Sequence, residues 1–184
     1  MRIAISGTHC CGKSTLIDEF LITHSEYTHE PEAYETMQDE LGESFAAEPS
    51  AEDFRRQLEH CVNRLEQYRD SDNVIFERCP ADYLAYMLAL RDLGRDSQAS
   101  QIAAECVRTV RSEMKGVDVI VLLRLQEEDF DVSNEEDPEL RRLVDEKLES
   151  ILIDNQFDLF SDLLIIEPLG STSERLQALE AVLR

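Results

Sequence analysis

The stretch Gly7-Thr8-His9-Cys10-Cys11-Gly12-Lys13-Ser14 matches the pattern G-x-x-x-x-G-K-[ST] without a gap. The residues before it, Arg2 to Ser6, form a short apolar run that is typical of a buried strand. The residues after it, through Leu21, have the spacing of an amphipathic helix. Because a strand, a glycine-bearing turn and a helix follow one another in this order, the match predicts a loop that binds phosphate groups.

The spacing within this loop has a chemical reason. Glycine lets the backbone curl so that successive N–H groups face phosphate oxygens, and the following helix adds the positive end of its dipole. Lys13 is placed to reach the β- and γ-phosphates, the Ser14 hydroxyl to ligate Mg²⁺, and Thr15 to meet the α-phosphate. We therefore predict that a nucleoside triphosphate with Mg²⁺ is bound by Gly7, Thr8, His9, Cys10, Cys11, Gly12, Lys13, Ser14 and Thr15.

The cysteines in this loop have two interpretations. Cys10 and Cys11 can serve as small residues whose backbone N–H groups bind phosphate. Alternatively, a helix N-terminus lowers the pKa of a thiol, which would make the loop sensitive to oxidation. The chain has five cysteines and no C-x-x-C pair, so neither a disulfide framework nor a zinc ribbon is expected.

Length and charge limit the classes of protein to consider. A chain of 184 residues is about one domain long, and we expect a single domain over 1–184. It has no signal peptide and no apolar stretch long enough for a membrane span, so we expect a cytoplasmic protein without a membrane partner. The formal net charge of −22 disfavours nucleic-acid binding, since that affinity comes from neutralising phosphates. A triphosphate must therefore be held by a local cationic pocket.

Hydrophobic periodicity predicts strands that alternate with helices. Continuous apolar runs predict five strands, near residues 2–6, 27–30, 74–76, 117–123 and 163–166. Three- and four-residue steps, with capping signals, predict helices near 14–21, 50–68, 80–94, 97–115, from 138 past 153, and from 171. This alternation indicates an α/β protein with a parallel sheet covered on both faces.

Three further motifs follow predicted strands: His29-Glu30-Pro31-Glu32, Val74-Ile75-Phe76-Glu77-Arg78 and Leu169-Gly170-Ser171-Thr172-Ser173-Glu174-Arg175. With the phosphate loop they resemble the P-loop nucleoside and nucleotide kinase-like family, which includes small AAA-type ATPase/kinase-like proteins and deoxynucleoside, thymidylate and ribosylnicotinamide kinases. No N-K-x-D motif and no D-x-x-G switch is present, which argues against a GTPase. The resemblance implies a three-layer α/β/α P-loop NTPase fold with a five-stranded parallel sheet of order 2-3-1-4-5. It also implies transfer of the γ-phosphate of ATP to a small-molecule acceptor, a nucleoside or a nucleotide.

The resemblance also implies roles for individual residues. The residues with implied catalytic roles are Lys13, Glu30, Arg78, Arg141 and Arg142, and those near the metal are Ser14 and Glu77. Glu30 would accept the proton of the acceptor hydroxyl, and Glu32 competes for this role because a two-residue shift keeps the same strand face. Arg55, Arg56 and Arg64 are further candidates for acceptor contacts. The structural alternatives are that Glu-Pro only ends a strand and that Glu-Arg is a surface ion pair.

A lid is implied over residues 124–142, from which Arg141 and Arg142 would approach the phosphates. Residues 127–139 contain eight acidic residues and no basic one, a pattern typical of a solvated loop. The same segment would also suit a basic partner. The alternative function is therefore a nucleotide-binding regulatory switch, or a slow NTPase, with a protein partner. The sequence leaves open whether the protein forms a homodimer.

Overall fold

Five strands form one all-parallel sheet in the computed structural model, which describes residues 1–42, 48–126 and 137–183. The strands are β1 (Arg2–Ser6), β2 (Thr28–Glu30), β3 (Val74–Glu77), β4 (Val119–Leu122) and β5 (Leu164–Ile166). Their order is β2-β3-β1-β4-β5, which confirms the predicted sheet. The central position of β1 places the loop that follows it in the middle of the carboxyl edge.

Helices connect the strands. They are α1 (Lys13–Thr23), α2 (Ala33–Leu41), α3 (Ala51–Gln67), α4 (Pro80–Asp92), α5 (Ala99–Glu113), α6 (Pro138–Leu148) and α7 (Thr172–Val182). A short 3₁₀ turn, Met114–Gly116, follows α5, and α6 continues into a π-helical turn, Glu149–Ile153. Helix α2 is not predicted from the sequence, because the segment after the second predicted strand carries no assignment.

The three central strands, β1, β3 and β4, bury side chains on both faces of the sheet, since successive residues of a strand point to opposite sides. Ile3 and Ile5 of β1 pack with residues of α1 and α7 on one face of the sheet. Ala4 belongs to the larger core on the other face, which is formed with α3, α4, α5 and α6. These two cores give the three layers expected of the fold.

Helix α4 is the most enclosed helix of the larger core. Its residues from Pro80 to Leu90 are all buried, among α3, α5 and α6. A helix that is apolar all round is stable only in such a position. Its first turn lies beside the phosphate loop. Within the described ranges, no helix is both long enough and apolar enough to cross a membrane.

Candidate active site

The phosphate loop leaves β1 through a glycine that no other residue can replace without strain. Gly7 has a φ of 151°, and an added Cβ would lie 2.6 Å from both the Cys11 sulfur and the Leu123 carbonyl oxygen. Gly12, with a φ of 90°, ends the loop where α1 begins. The buried Cys11 thiol donates to the Thr8 carbonyl at 3.1 Å, whereas Cys10 is exposed. Cys11 therefore supports the loop from inside.

Asp82, in the first turn of α4, ties the start of the loop to that helix. Its carboxylate accepts hydrogen bonds from the Ser6 hydroxyl at 2.8 Å, the Gly7 N–H at 3.0 Å and the Cys79 N–H at 2.9 Å. Asp82 is completely buried and completes a capping box with Cys79. Asp82 is not among the residues predicted from the sequence. The signal that could have revealed it is the spacing of a capping box, because Asp82 stands three positions after Cys79, the residue before Pro80.

Arg78 connects the loop to the segment that follows β2. Its guanidinium donates to the Gly7 carbonyl at 2.7 Å and forms an ion pair with Glu32, with the Arg78 Nε 2.7 Å from the Glu32 Oε1. Burial opposes the charged form, but Glu32 and Asp82 outweigh this and raise the pKa of Arg78 well above its usual value. Arg78 is therefore a permanent buried cation.

His9 is held in one tautomer. Its Nδ1 lies 3.0 Å from Nη2 of Arg78 and 2.8 Å from the hydroxyl oxygen of Tyr86. A guanidinium can only donate, so Nδ1 is an acceptor and the ring proton is assigned to Nε2. Burial and the nearby Arg78 lower the pKa of His9 to about 3. The imidazole is therefore neutral at physiological pH.

Two arginines from the C-terminal helices hold the loop from outside. Arg141 Nε donates to the His9 carbonyl at 3.0 Å, and Arg175 Nη1 donates to the Cys11 carbonyl at 2.8 Å. Both side chains are buried. The sequence analysis did not select Arg175, because a contact over 164 positions leaves no local signal. Arg142 is exposed instead and pairs with Glu146 on its own helix.

The residues expected at the β- and γ-phosphates and the metal lie together. Lys13 Nζ donates to the Thr8 carbonyl at 2.9 Å, and the Ser14 hydroxyl donates to Glu77 Oε1 at 3.0 Å. Thr15, next to Ser14, is exposed. A hydroxyl and a carboxylate are oxygen ligands of the type that Mg²⁺ prefers. The donor set of Ser14 and Glu77 thus fits the metal implied by the loop.

A cavity of about 490 Å³ opens in front of the loop, a size typical of small-molecule sites. Loop residues and the ends of β3, α2, α3 and α4 surround it. Its charged and polar lining includes His9, Lys13, Ser14, Glu32, Glu35, Gln57, Glu77 and Arg78, and its aromatic lining is Tyr34, Phe54, Tyr83 and Tyr86. The arrangement can hold a polyphosphate at one side and a flat organic molecule at the other.

Glu30 and Glu32 lie in different surroundings. Glu30 is buried and accepts two hydrogen bonds from Arg64, at 2.6 and 2.7 Å. Glu32 lines the cavity. Burial raises the pKa of Glu32, but Arg78 and Lys13 outweigh it, so that the pKa lies below its usual value. The two carboxylates do not share a face because β2 ends at Glu30 and Pro31 turns the chain.

The other predicted residues lie outside the cavity lining or outside the described ranges. Arg55 pairs with Glu52 and Glu59 on α3, and Arg64 with Glu30. Arg56 lies on α3 and does not line the cavity. Of the lid predicted over 124–142, residues 127–136 lie outside the described residues. Asp137 begins α6, where it accepts from the Leu140 N–H at 3.0 Å.

The sheet order and the loop together define a P-loop fold of the nucleoside and nucleotide kinase-like type. The chain belongs to a family described as AAA domain, whose model matches residues 2–175. No curated protein matches the sequence significantly.

Solved structures show the same fold. The deoxyadenosine kinase from M. mycoides with bound dATP is similar with a TM-score of 0.71 and 18% identity, covering 100% of this chain and 99% of that chain. The thymidylate kinase from Candida albicans is similar with a TM-score of 0.68 and 15% identity, covering 99% of this chain and 90% of that chain. The predicted family resemblance is therefore confirmed at the level of the fold.

Proposed function

We propose that this protein is an ATP-dependent phosphotransferase that moves the γ-phosphate of ATP to a small-molecule acceptor, a nucleoside or a nucleotide. The observation that carries the proposal is the position of Glu32. This carboxylate lines the same cavity as Lys13 and Ser14 and is held by Arg78, which also binds the loop. A carboxylate could orient water as well as a hydroxyl, so the cavity of about 490 Å³ with its aromatic lining is what favours an organic acceptor over hydrolysis.

On the donor side, the loop N–H groups and Lys13 would bind the phosphates of ATP. Lys13 would exchange its hydrogen bond with the Thr8 carbonyl for one with a phosphate oxygen. Ser14 and Glu77 would hold Mg²⁺, directly or through water, and the ion would supply positive charge to the phosphate oxygens. Arg141 would act by fixing the loop rather than by touching ATP, since its Nε is bonded to the His9 carbonyl.

On the acceptor side, Glu32 would orient the attacking hydroxyl. The hydroxyl oxygen forms a bond to the γ-phosphorus while the bond to the β-phosphate oxygen breaks, ADP leaves, and the proton passes to Glu32. The lowered pKa of Glu32 keeps the carboxylate ionised, so it is always ready to accept that hydrogen bond. A weak base suffices because phosphoryl transfer depends on positioning and on cations around the phosphate more than on proton removal.

The test is ADP formation by the purified chain with ATP and Mg²⁺, with and without a panel of nucleosides, nucleotides and sugars. One acceptor class should raise the rate clearly above basal hydrolysis. Glu32→Gln should lower the acceptor-dependent kcat by about a hundredfold or more. Glu105→Gln, an equivalent change at an exposed position of α5, should leave it unchanged.

Two results would change the assignment. If Glu30→Gln abolishes transfer in a folded protein while Glu32→Gln does not, the base is Glu30. If no acceptor raises ADP formation, the protein is a slow NTPase or a nucleotide-dependent switch, and the kinase proposal is wrong.

A further inference from the structure

The fold allows two classes of acceptor, a nucleoside or a nucleoside monophosphate. The charges around the cavity distinguish between them. Cationic side chains that line it, among the described residues, are Lys13 and Arg78. Three carboxylates line it as well, those of Glu32, Glu35 and Glu77. An acceptor that already carries a phosphate needs a cation of its own, because its dianion would otherwise face these carboxylates.

Neither cation is available for such an acceptor. Lys13 belongs to the phosphate loop and would be engaged by ATP. Arg78 is 1% exposed, and its nitrogens contact the Glu32 carboxylate, the Gly7 carbonyl and His9. His9 adds no charge, since its ring is neutral. Binding an acceptor phosphate through Arg78 would require breaking the contacts that hold the loop.

The two internal segments outside the described ranges contain no cationic residue of their own. Residues 43–47 read Glu-Ser-Phe-Ala-Ala, and residues 127–136 read Glu-Glu-Asp-Phe-Asp-Val-Ser-Asn-Glu-Glu. Neither segment contains lysine, arginine or histidine, and together they add seven carboxylates. Their composition therefore offers no cation for an acceptor phosphate.

The rest of the lining suits a flat, uncharged molecule. Phe54 and Tyr86 stack with ring centroids 4.6 Å apart, and Tyr83 lines the same cavity. Gln57 is buried and lines this part of the cavity, where its amide can both donate and accept. Aromatic faces with one amide are a common way to bind a nucleobase.

We propose that the site accepts a non-phosphorylated nucleoside and rejects nucleoside monophosphates, with Glu35 as a carboxylate that determines this specificity. This inference rests on the proposed function and narrows it. Glu35 lies on the first turn of α2, where it is close to Glu32 and Glu77. Glu32 is paired with Arg78, and Glu77 accepts a hydrogen bond from the Ser14 hydroxyl. The negative charge of Glu35 would repel an acceptor phosphate without affecting a neutral nucleoside.

The experiment compares each nucleoside with its own 5′-monophosphate in the ADP assay, using the full chain. We expect kcat/KM to be at least about tenfold higher for the nucleoside. Glu35→Arg should lower KM for the monophosphate by about tenfold and change KM for the nucleoside little. Glu105→Arg makes the same change of charge at an exposed position of α5 outside the cavity lining, and should leave the ratio of the two kcat/KM values unaltered.

A higher kcat/KM for the monophosphate than for the nucleoside would overturn the inference while leaving the kinase proposal intact. So would a Glu35→Arg variant in which the ratio of these two kcat/KM values is the same as in the wild type. If neither class is phosphorylated, the kinase proposal fails, and calorimetry still decides the inference. Wild-type protein loaded with a non-hydrolysable ATP analogue should then bind the nucleoside and not the monophosphate. Tighter binding of the monophosphate would overturn it.

Discussion

At the scale of single residues, the loop is held by side chains that lie outside it. The Asp82 carboxylate accepts a hydrogen bond from the Gly7 N–H, and the Arg78 guanidinium donates one to the Gly7 carbonyl. Side chains therefore satisfy both backbone polar groups of Gly7. Unpaired buried groups of this kind are costly, which makes such partners as necessary as the glycine itself. The phosphate-binding conformation is thus maintained before any nucleotide arrives.

His9 gives a prediction for the pH dependence of stability. Its pKa is about 3 in the folded protein and 6.5 when unperturbed, so below pH 6.5 the unfolded chain binds a proton that the folded chain does not. Stability is therefore complete above pH 6.5 and falls as the pH falls towards 3, by about 1.4 kcal/mol per pH unit at most. The groups that set this shift, besides burial, are Arg78, Glu32, Lys13 and Arg141.

The measurement is the free energy of unfolding in urea at several pH values for the wild type and for His9→Gln. From pH 7 to pH 5 the wild type should lose about 2 kcal/mol more than the variant. The comparison removes the contributions of carboxylates and of other histidines, which both proteins share. Equal losses in the two proteins would mean that folding does not lower the pKa of His9.

Glu30 and Glu32 show why the site could be predicted only in part. The loop and the buried strands were predictable because glycine positions and apolar runs are local signals. The environment of each glutamate depends on where β2 ends, and a two-residue shift preserves the face only while the strand continues. The capping signal at Asp82 is local, but its contacts with Ser6 and Gly7 join distant positions in the sequence, as does the contact of Arg175 with Cys11. Only the folded chain shows these contacts.

At the scale of elements, α2 shows what hydrophobic periodicity misses. Its sequence from Ala33 to Leu41 is mostly polar, and only Ala33, Thr36 and Met37 of its described side chains are buried. Such a short helix gains its stability from neighbours rather than from its own pattern. By contrast, α3 carries a capping box and a strong apolar stripe, and both signals were read correctly.

The cap of α3 gives a second prediction. The Ser50 hydroxyl accepts from the Asp53 N–H at 3.2 Å, and the Asp53 carboxylate accepts from the Ser50 N–H at 2.9 Å. Ser50→Ala removes the first bond and should lower the free energy of unfolding by about 1 kcal/mol. Ser100→Ala, at an exposed position inside α5, should change it by less than about 0.5 kcal/mol. Urea denaturation measures both, and equal effects would contradict the capping role.

At the scale of the whole molecule, the net charge of −22 opposes the compact state. Many of the arginines are already paired with carboxylates, as in the cluster of Arg124 with Asp145, Glu149 and Glu167. The acidic residues still outnumber the basic ones by 40 to 18, so repulsion remains after pairing. Added salt should relieve that repulsion over distances beyond about 10 Å.

We therefore expect Tm to rise by a few degrees between about 0.05 and 0.5 M NaCl. Differential scanning calorimetry without nucleotide measures the change, and KCl at the same ionic strength should give a similar shift. A fall in Tm over this range would mean that the paired charges stabilise the fold more than the excess charge destabilises it.

The contacts of Arg141 and Arg175 with the loop carbonyls have a consequence for how the protein is made. The ribosome delivers the loop early, but its outer supports belong to α6 and α7, and the partner of Cys11 emerges 164 residues later. A nascent chain that stops before α6 therefore contains the whole motif without the conformation that the motif requires. We therefore expect tight binding of ATP only after these C-terminal helices have docked, so that the nucleotide would bind finished molecules in preference to growing ones.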